Sequence, residues 1–444
     1  MNKDFKSQNF IYIKKLKMIF IVIILILILL IGRIGFLQFV QGSYLKELAY
    51  NQQSINQIIS PKRGSIYDST GKILATSSSV DTITINPDKI GESIKDNTEK
   101  TQLKENLAKA FSEIFELDYN ETLSKINSDS KVETIAKKVE QDKVDKLKNW
   151  MKENKVTTGI NIDEDTKRYY PYGTVLSQVL GSCGSDNQGL SGIEVQWDSV
   201  LKGTPGKIVS SKSASQEEIP NAEETYIPAE NGSDLTLTID YRIQTIVEKY
   251  LQQAVEYNSC ENGGSCIVMD PKTGDILAMA TYPNYDLNNP FTPNEYVAKT
   301  YDSLDSEGKA NAIYKMWSNK AVSELYEPGS VFKLITASAA LDENITGTDI
   351  AGDFKCPGYE MVGDIRVNCW KTDGSHGSQS LRQALEHSCN PALIQLGNRI
   401  GTATLYKYYK SFGFFDTTGV DLPGEASSIF LAENEVKPIE RATY

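Results

Sequence analysis

The chain has 444 residues, enough for two or three domains, and 40% of them are apolar, as in an ordinary globular protein. Its formal net charge of -12 argues against a nucleic-acid partner. Two histidines and six cysteines show no zinc-motif spacing, so neither metal chemistry nor a cofactor is expected.

Residues 18–31 form an unbroken apolar run, which resumes at 34–40 after Gly32 and Arg33. Positions 18–40 suffice to cross roughly 30 Å of hydrocarbon at about 1.5 Å per residue. Lys3, Lys6, Lys14, Lys15 and Lys17 precede the run and predict a cytoplasmic tail over residues 1–17. A cleaved secretory signal would have an apolar core of about 7–15 residues ending in small residues. This run is longer, and Gly42-Ser43-Tyr44 is a poor cleavage site. We therefore expect an uncleaved single-pass anchor in the cell membrane, with the bulk of the chain extracytoplasmic. In that compartment Cys356 and Cys369, which flank a segment of hairpin length, are a candidate disulfide, and Cys260 with Cys266 a weaker one. Free buried thiols are the alternative.

Beyond the anchor, Thr70-Gly71 reads as a hairpin turn between two short strands. Within 85–160, Leu103, Leu107, Phe111, Ile114 and Phe115 mark one helix. Val132, Ile135 and Val139, then Val144, Leu147 and Trp150, mark others, and the section shows no chemistry. A polar, poorly patterned stretch over 210–232 predicts a domain boundary. After it, residues 235–240 alternate as a strand, with Asp240 capping a helix over 241–255. Residues 265–269 and 275–280 follow as a strand pair joined by Pro271-Lys272-Thr273-Gly274. That order predicts an α+β domain with an antiparallel sheet backed by helices.

Tyr326-Glu327-Pro328-Gly329-Ser330-Val331-Phe332-Lys333-Leu334 reads as a turn opening a helix. Ser330 and Lys333 stand three apart and so share a face, a hydroxyl beside a candidate base. The helix's partial positive end is expected to push Lys333 toward its neutral, proton-accepting form. The same Ser-x-x-Lys string recurs at Ser43/Lys46, Ser69/Lys72 and Ser128/Lys131, so the string alone does not select a site. Downstream, a helix over 381–387 stops at Ser388-Cys389-Asn390. Asn390 reads as an N-cap with Pro391 at the first helical position, in a loop that can also aim Ser388 and Asn390 into a cleft. Ser185-Asp186-Asn187 fits the same Ser-x-Asn string and reads as a Gly-rich loop.

In this order, the motifs resemble those of class B penicillin-binding proteins, the monofunctional peptidoglycan transpeptidases. Gly64, Asp68, Gly71 and Ala75 match the first pedestal signature. Arg168-Tyr169-Tyr170-Pro171 and Gly189-Leu190-Ser191-Gly192-Ile193-Glu194 match the next two. Asp270-Pro271, Thr273-Gly274, Ile276-Leu277-Ala278-Met279, and Tyr326 to Ser330 match the start of the transpeptidase domain. Phe412-Gly413-Phe414 and Leu422-Pro423-Gly424-Glu425 match its later part. The resemblance implies a membrane helix at 18–40, an elongated pedestal or dimerisation domain over 41–231 and a transpeptidase domain over 232–444.

It also implies a function. Ser330 would attack the penultimate D-Ala carbonyl of a D-Ala-D-Ala stem peptide, with Lys333 taking its proton, Ser388 relaying a proton to the leaving D-Ala, and Asn390 holding the donor amide and Lys333. An amine of a second stem would resolve the acyl-enzyme into a peptidoglycan cross-link, and β-lactams would be trapped on Ser330. No cofactor is implied, and a polytopic glycan polymerase is the implied partner. The family's third motif, Lys-Thr/Ser-Gly, lies on a strand well after the Ser-x-Asn loop, whereas Lys272-Thr273-Gly274 precedes Ser330 and reads as a turn. The expectation is accordingly a C-terminally truncated transpeptidase domain with weak or no activity. A serine β-lactamase or β-lactam sensor, a non-catalytic membrane scaffold and a D,D-carboxypeptidase are the rivals.

Overall fold

The computed structural model describes residues 4–41, 54–211 and 225–437. A helix over Asp4–Gly35 carries the N-terminal apolar run and leads into a π-helical turn, Phe36–Val40. Its apolar side chains from Met18 onward, where described, are exposed. Among the described residues, which leave out several side chains of this helix, no helix is long and apolar enough to cross a membrane. The remainder divides into two compact units, and the chain passes between them several times.

The first unit takes in residues 79–166 and 203–232, with the residues up to 62 grouped with it. Its core joins Ile83, Ile85 and Ile90 to Leu107 and Phe111 of the helix Asn97–Phe115, to Ile126, and to Val144 and Leu147 of the helix Gln141–Glu153. Asp96 and Asp118 cap two successive helices by accepting from the backbone N–H of Thr98 and Glu121, which satisfies donors that a helix start leaves unpaired. The expected helix around Val132, Ile135 and Val139 is instead a strand, Glu133–Val139, paired antiparallel with the strand Ile73–Ile85. Ile135 and Val139 lie four apart, so they share a face of a strand as readily as of a helix, and both are buried. The run Val132-Glu133-Thr134-Ile135 is rich in β-branched residues, which favour the extended form. The Ser43/Lys46 pair lies outside the described residues.

The second unit gathers residues 63–78, 167–202 and 233–444. Here the Thr70-Gly71 hairpin forms as expected: Ile66–Tyr67 pairs antiparallel with the start of Ile73–Ile85 and, on its other edge, parallel with Leu235–Thr236. Gly64 is required at this crossing, because a Cβ there would lie 1.9 Å from the Ser233 carbonyl oxygen. Asp240 accepts from the Arg242 N–H and caps the helix Tyr241–Tyr257. That helix backs the antiparallel pair Gly264–Met269 and Ile276–Tyr282. The Gln244 amide is fully buried and ties helix to strand, accepting from the Met279 N–H at 2.8 Å and donating to the Met279 carbonyl at 3.0 Å. A second core, around Ala337, Ala340, Phe354, Leu381, Leu393 and Leu396, underlies the helices that carry Lys333 and Asn390.

Candidate active site

Ser330 lies in a 3₁₀ turn, Gly329–Phe332, that runs directly into the α-helix Lys333–Asp342. Three residues per turn eclipse positions i and i+3, so the local winding sets Ser330 and Lys333 on one face. The segment is fixed from beneath: Thr336, Ala337, Ala339 and Ala340 are buried, and the Phe332 ring lies 5.2 Å from both Tyr409 and Phe414. Tyr326, Val331 and Leu334 remain exposed beside Ser330.

The facing loop is positioned by the helix Leu381–Glu386, which starts from a capping box of Ser380 and Gln383. Trp370 Nε1 donates to the His387 carbonyl at 2.8 Å where that helix stops. Ser388 follows with φ 45°, in the left-handed region. The next helix, Asn390–Ile400, has Cys389 at its N-cap and no side-chain cap. This corrects the expectation that Asn390 is the cap. Its side chain is used elsewhere: Asn390 Oδ1 accepts from Lys333 Nζ at 2.6 Å.

All four expected site residues meet. Lys333 Nζ also donates to the Ser388 carbonyl at 2.9 Å and to Ser388 Oγ at 3.1 Å, and Ser388 Oγ donates to Ser330 Oγ at 3.1 Å. Among the described residues no hydrogen bond joins Ser330 directly to Lys333, so Ser388 bridges them. Burial pushes the Lys333 ammonium below its ordinary value, against an opposing pull from Cys389 and Cys369. Desolvation thus supplies the shift that sequence reasoning assigned to the helix end. What the arrangement can do chemically is pass a proton between a hydroxyl and an amine through a second hydroxyl.

The competing strings are occupied by other contacts. Lys72 Nζ sits over the rings of Tyr241 and Tyr172, at 3.5 and 4.7 Å. Lys131 pairs with Asp88 at 2.9 Å, and Ser128 donates to Glu133. Asn187 lies in a turn and gives its carbonyl to Arg63. Lys272-Thr273-Gly274 forms the hairpin turn after Asp270, whose carbonyl accepts from the Gly274 N–H.

The pedestal signatures build a buried ionic cluster. Glu194, fully buried, accepts from Arg63 Nε and Arg168 Nε, each at 2.6 Å, and from the Tyr170 hydroxyl at 3.2 Å. Arg63 also reaches Asp198, and Arg168 reaches the Gly64 carbonyl. Gly192, at φ +55°, passes so close to Val179 that a Cβ would lie 2.5 Å from its carbonyl oxygen.

A second constellation escaped the sequence. All six cysteines are free thiols, the alternative to the two candidate disulfides. Instead Cys356, Cys369, His376 and Cys389 bring their ligand atoms within 4.8 Å of one another, a cluster that could hold a metal ion. Gaps of twelve, six and twelve residues match no paired-cysteine spacing. The available signal was compositional: three of six cysteines and both histidines fall within 356–389.

Comparison with known proteins places both halves. Residues 58–237 match the "Penicillin-binding Protein dimerisation domain" family and residues 264–444 the "Penicillin binding protein transpeptidase domain" family. The chain is 33% identical to Stage V sporulation protein D of Bacillus subtilis (strain 168), over 97% of its own length and 61% of that protein's. It is 27% identical to Peptidoglycan D,D-transpeptidase FtsI of Escherichia coli (strain K12), over 93% and 64%. The chain thus spans less than two thirds of the length of these relatives. Its fold is similar to that of penicillin-binding protein PBP2 of Helicobacter pylori, solved in complex with MreC, with a TM-score of 0.65 and 23% identity over 85% of this chain and 68% of that one.

Proposed function

The chain belongs to the class B penicillin-binding proteins, whose dimerisation and transpeptidase families it carries in order, and on that premise we propose that it is a serine D,D-transpeptidase that cross-links peptidoglycan stem peptides through Ser330. The observation that carries this reading is the hydrogen-bonded chain from Ser330 through Ser388 to Lys333, closed by Asn390.

Ser330 Oγ attacks the penultimate D-Ala carbonyl, and its proton moves by way of the Ser388 hydroxyl to a neutral Lys333. The Ser330 backbone N–H, at the opening of a helical segment, is one donor to the developing oxyanion. As the intermediate collapses, the C–N bond to the terminal D-Ala breaks. The proton held by Lys333 returns through Ser388 to the leaving amine. An amine from a second stem then attacks the ester carbonyl, losing its proton by the same route and releasing Ser330. Asn390 holds Lys333 toward the loop and offers its remaining amide donors to the substrate. A β-lactam acylates Ser330 in the same way, and its leaving nitrogen stays tethered.

In this reading residues 18–40 anchor the protein in the cell membrane, residues 1–17 lie in the cytoplasm, and the transpeptidase domain over 232–444 acts outside it. The pedestal over 41–231 would serve contact with a polytopic glycan polymerase. The apolar run at 18–31 and 34–40, after five lysines, supports the anchor. Ser330→Ala tests the assignment. It should abolish covalent labelling by a fluorescent penicillin while the protein stays folded and membrane-associated, and undiminished labelling would sink it.

A further inference from the structure

A cavity of about 180 Å³ opens within the second unit and shares no lining residue with the site at Ser330. Its walls come from separate stretches of the chain. A pedestal loop supplies Thr174 and Val175, and the helix Tyr241–Tyr257 supplies Glu248 and Lys249. Thr281, at the end of the strand Ile276–Tyr282, and Asn284 complete it. Drug-sized ligands occupy cavities of about 300–1,000 Å³, so this one suits a smaller molecule.

Charge decides which molecule. Glu248 Oε1 accepts from the Leu176 N–H at 2.8 Å and from the Gln244 amide at 2.7 Å, while Oε2 makes no hydrogen bond among the described residues. Both donors are neutral, and no cation pairs with this carboxylate among the described residues. Burial therefore pushes the Glu248 carboxyl above its ordinary value. A carboxylate withdrawn from water is seldom left without a partner. Lys249 lines the same cavity, and it too makes no ion pair among the described residues; its contact is the Tyr250 ring, 5.8 Å to the centroid. Successive helix residues point about 100° apart, so carboxylate and ammonium approach the cavity from different directions. The Thr174 hydroxyl and the Asn284 side-chain amide are likewise without a hydrogen bond among the described residues.

Two unpaired, opposite charges that line one small cavity without meeting call for a ligand that carries both. A simple cation would satisfy Glu248 and be repelled by Lys249, and a simple anion would do the reverse. We propose that this cavity binds a free α-amino acid as its zwitterion, the ammonium on Glu248 and the carboxylate on Lys249, Thr174 and Asn284. The volume limits the side chain to about the size of alanine. Glu248 also holds the N–H of Leu176, a residue at φ 60°, so an occupied cavity would tie the pedestal loop to the helix Tyr241–Tyr257. D-Alanine is the first probe, because the transpeptidation proposed above would release it. That choice rests on the acyl-transfer reading, whereas the charge pattern of the cavity does not.

Isothermal titration calorimetry on the full chain in detergent tests this without requiring activity. At least one of D-alanine, L-alanine and glycine should bind with a Kd of about 1 mM or tighter. D-Alaninamide, which lacks the carboxylate, and D-lactate, which lacks the ammonium, should bind about tenfold more weakly or worse. Glu248→Gln keeps an oxygen acceptor for Leu176 and Gln244 but removes the charge, and Lys249→Met alters an exposed side chain. Each should weaken binding by about tenfold or more. Should Glu248→Gln fail to fold, Lys249→Met and the two analogues decide. No saturable binding of any of the three amino acids up to about 10 mM would overturn the proposal. So would equal affinity in wild type and the folded variants, or analogues that bind as well as D-alanine. Fluorescent-penicillin labelling keeps the two readings apart: protein that is labelled but binds no amino acid loses this proposal alone, and protein that binds but is not labelled loses the acyl-transfer reading alone.

Discussion

Glu194→Ala tests whether the pedestal signatures hold the second unit together. The carboxylate is fully buried between two guanidiniums whose side chains are 1% and 4% exposed. Its removal leaves Arg63 with Asp198 and two carbonyls, but leaves Arg168 with only the Gly64 carbonyl, since its Nη2 has no partner among the described residues. Breaking a buried pair from one side costs about 3–5 kcal/mol, because the remaining charge stays desolvated. For a unit of this size each kcal/mol moves Tm by about 2–4 °C, so a drop of roughly 6–20 °C is expected by differential scanning calorimetry. Arg382→Ala supplies the contrast. It breaks the 2.7 Å pair with Asp349, in which the two side chains are 58% and 63% exposed, and such surface pairs contribute little to stability because solvent screens them. A Glu194→Ala melt within about 2 °C of wild type, or equal shifts for the two variants, would refute the reasoning.

Three further outcomes follow from the site. Asn390→Ala removes the 2.6 Å acceptor of Lys333; a hydrogen bond to a charged group is worth about 1.5–3 kcal/mol, so fluorescent-penicillin acylation should slow about ten- to hundredfold, and an unchanged rate would remove Asn390 from the mechanism. The acylation rate should rise with pH as Lys333 loses its proton, and burial places that rise below the ordinary lysine value of about 10.4; a rate that falls across the same range would exclude Lys333 as the base. Ser388→Ala and Ser388→Gly should lose acylation alike, but the glycine variant should melt higher, since only glycine accepts φ 45° without strain; a lower melt for glycine would show the loop to be unstrained.

The placement of Ser330 beside Lys333 was legible because it is set locally. Spacing of three places Ser330 and Lys333 together in any helical winding, and the surrounding motif order distinguished that string from its three copies. Ser388 and Asn390 were legible as a loop between helices, but not the contacts that give Asn390 to Lys333 and the N-cap to Cys389, because a loop's side-chain partners are set by tertiary packing. The strand Glu133–Val139 was misread because buried positions four apart fit both periods, and its pairing with Ile73–Ile85 decided between them. Nor could spacing reveal the cysteine–histidine cluster, whose members meet only after two short strand pairs fold back on themselves. The glycine and arginine signatures were readable as a pattern, while their reason, close backbone approach and one shared buried carboxylate, is a property of the folded unit.

The loop at Ser388 shows how these parts depend on one another. A non-glycine residue in the left-handed region costs about 1–3 kcal/mol and persists only where its surroundings over-determine it. Here they do so from several directions. Trp370 holds the preceding carbonyl, Lys333 takes both the carbonyl and the hydroxyl of Ser388, and Asn390 is drawn back to the same ammonium. The strained turn is what presents the carbonyl and hydroxyl of Ser388 to a single nitrogen while leaving the hydroxyl within 3.1 Å of Ser330. Lys333 is thus the post around which the loop is folded, beside the role of proton acceptor proposed for it. Holding the loop does not require its charge, because a neutral amine still donates two hydrogens and accepts one. Losing a proton therefore does not by itself release the loop, so in the proposed reaction Lys333 would titrate while Ser388 and Asn390 keep their places.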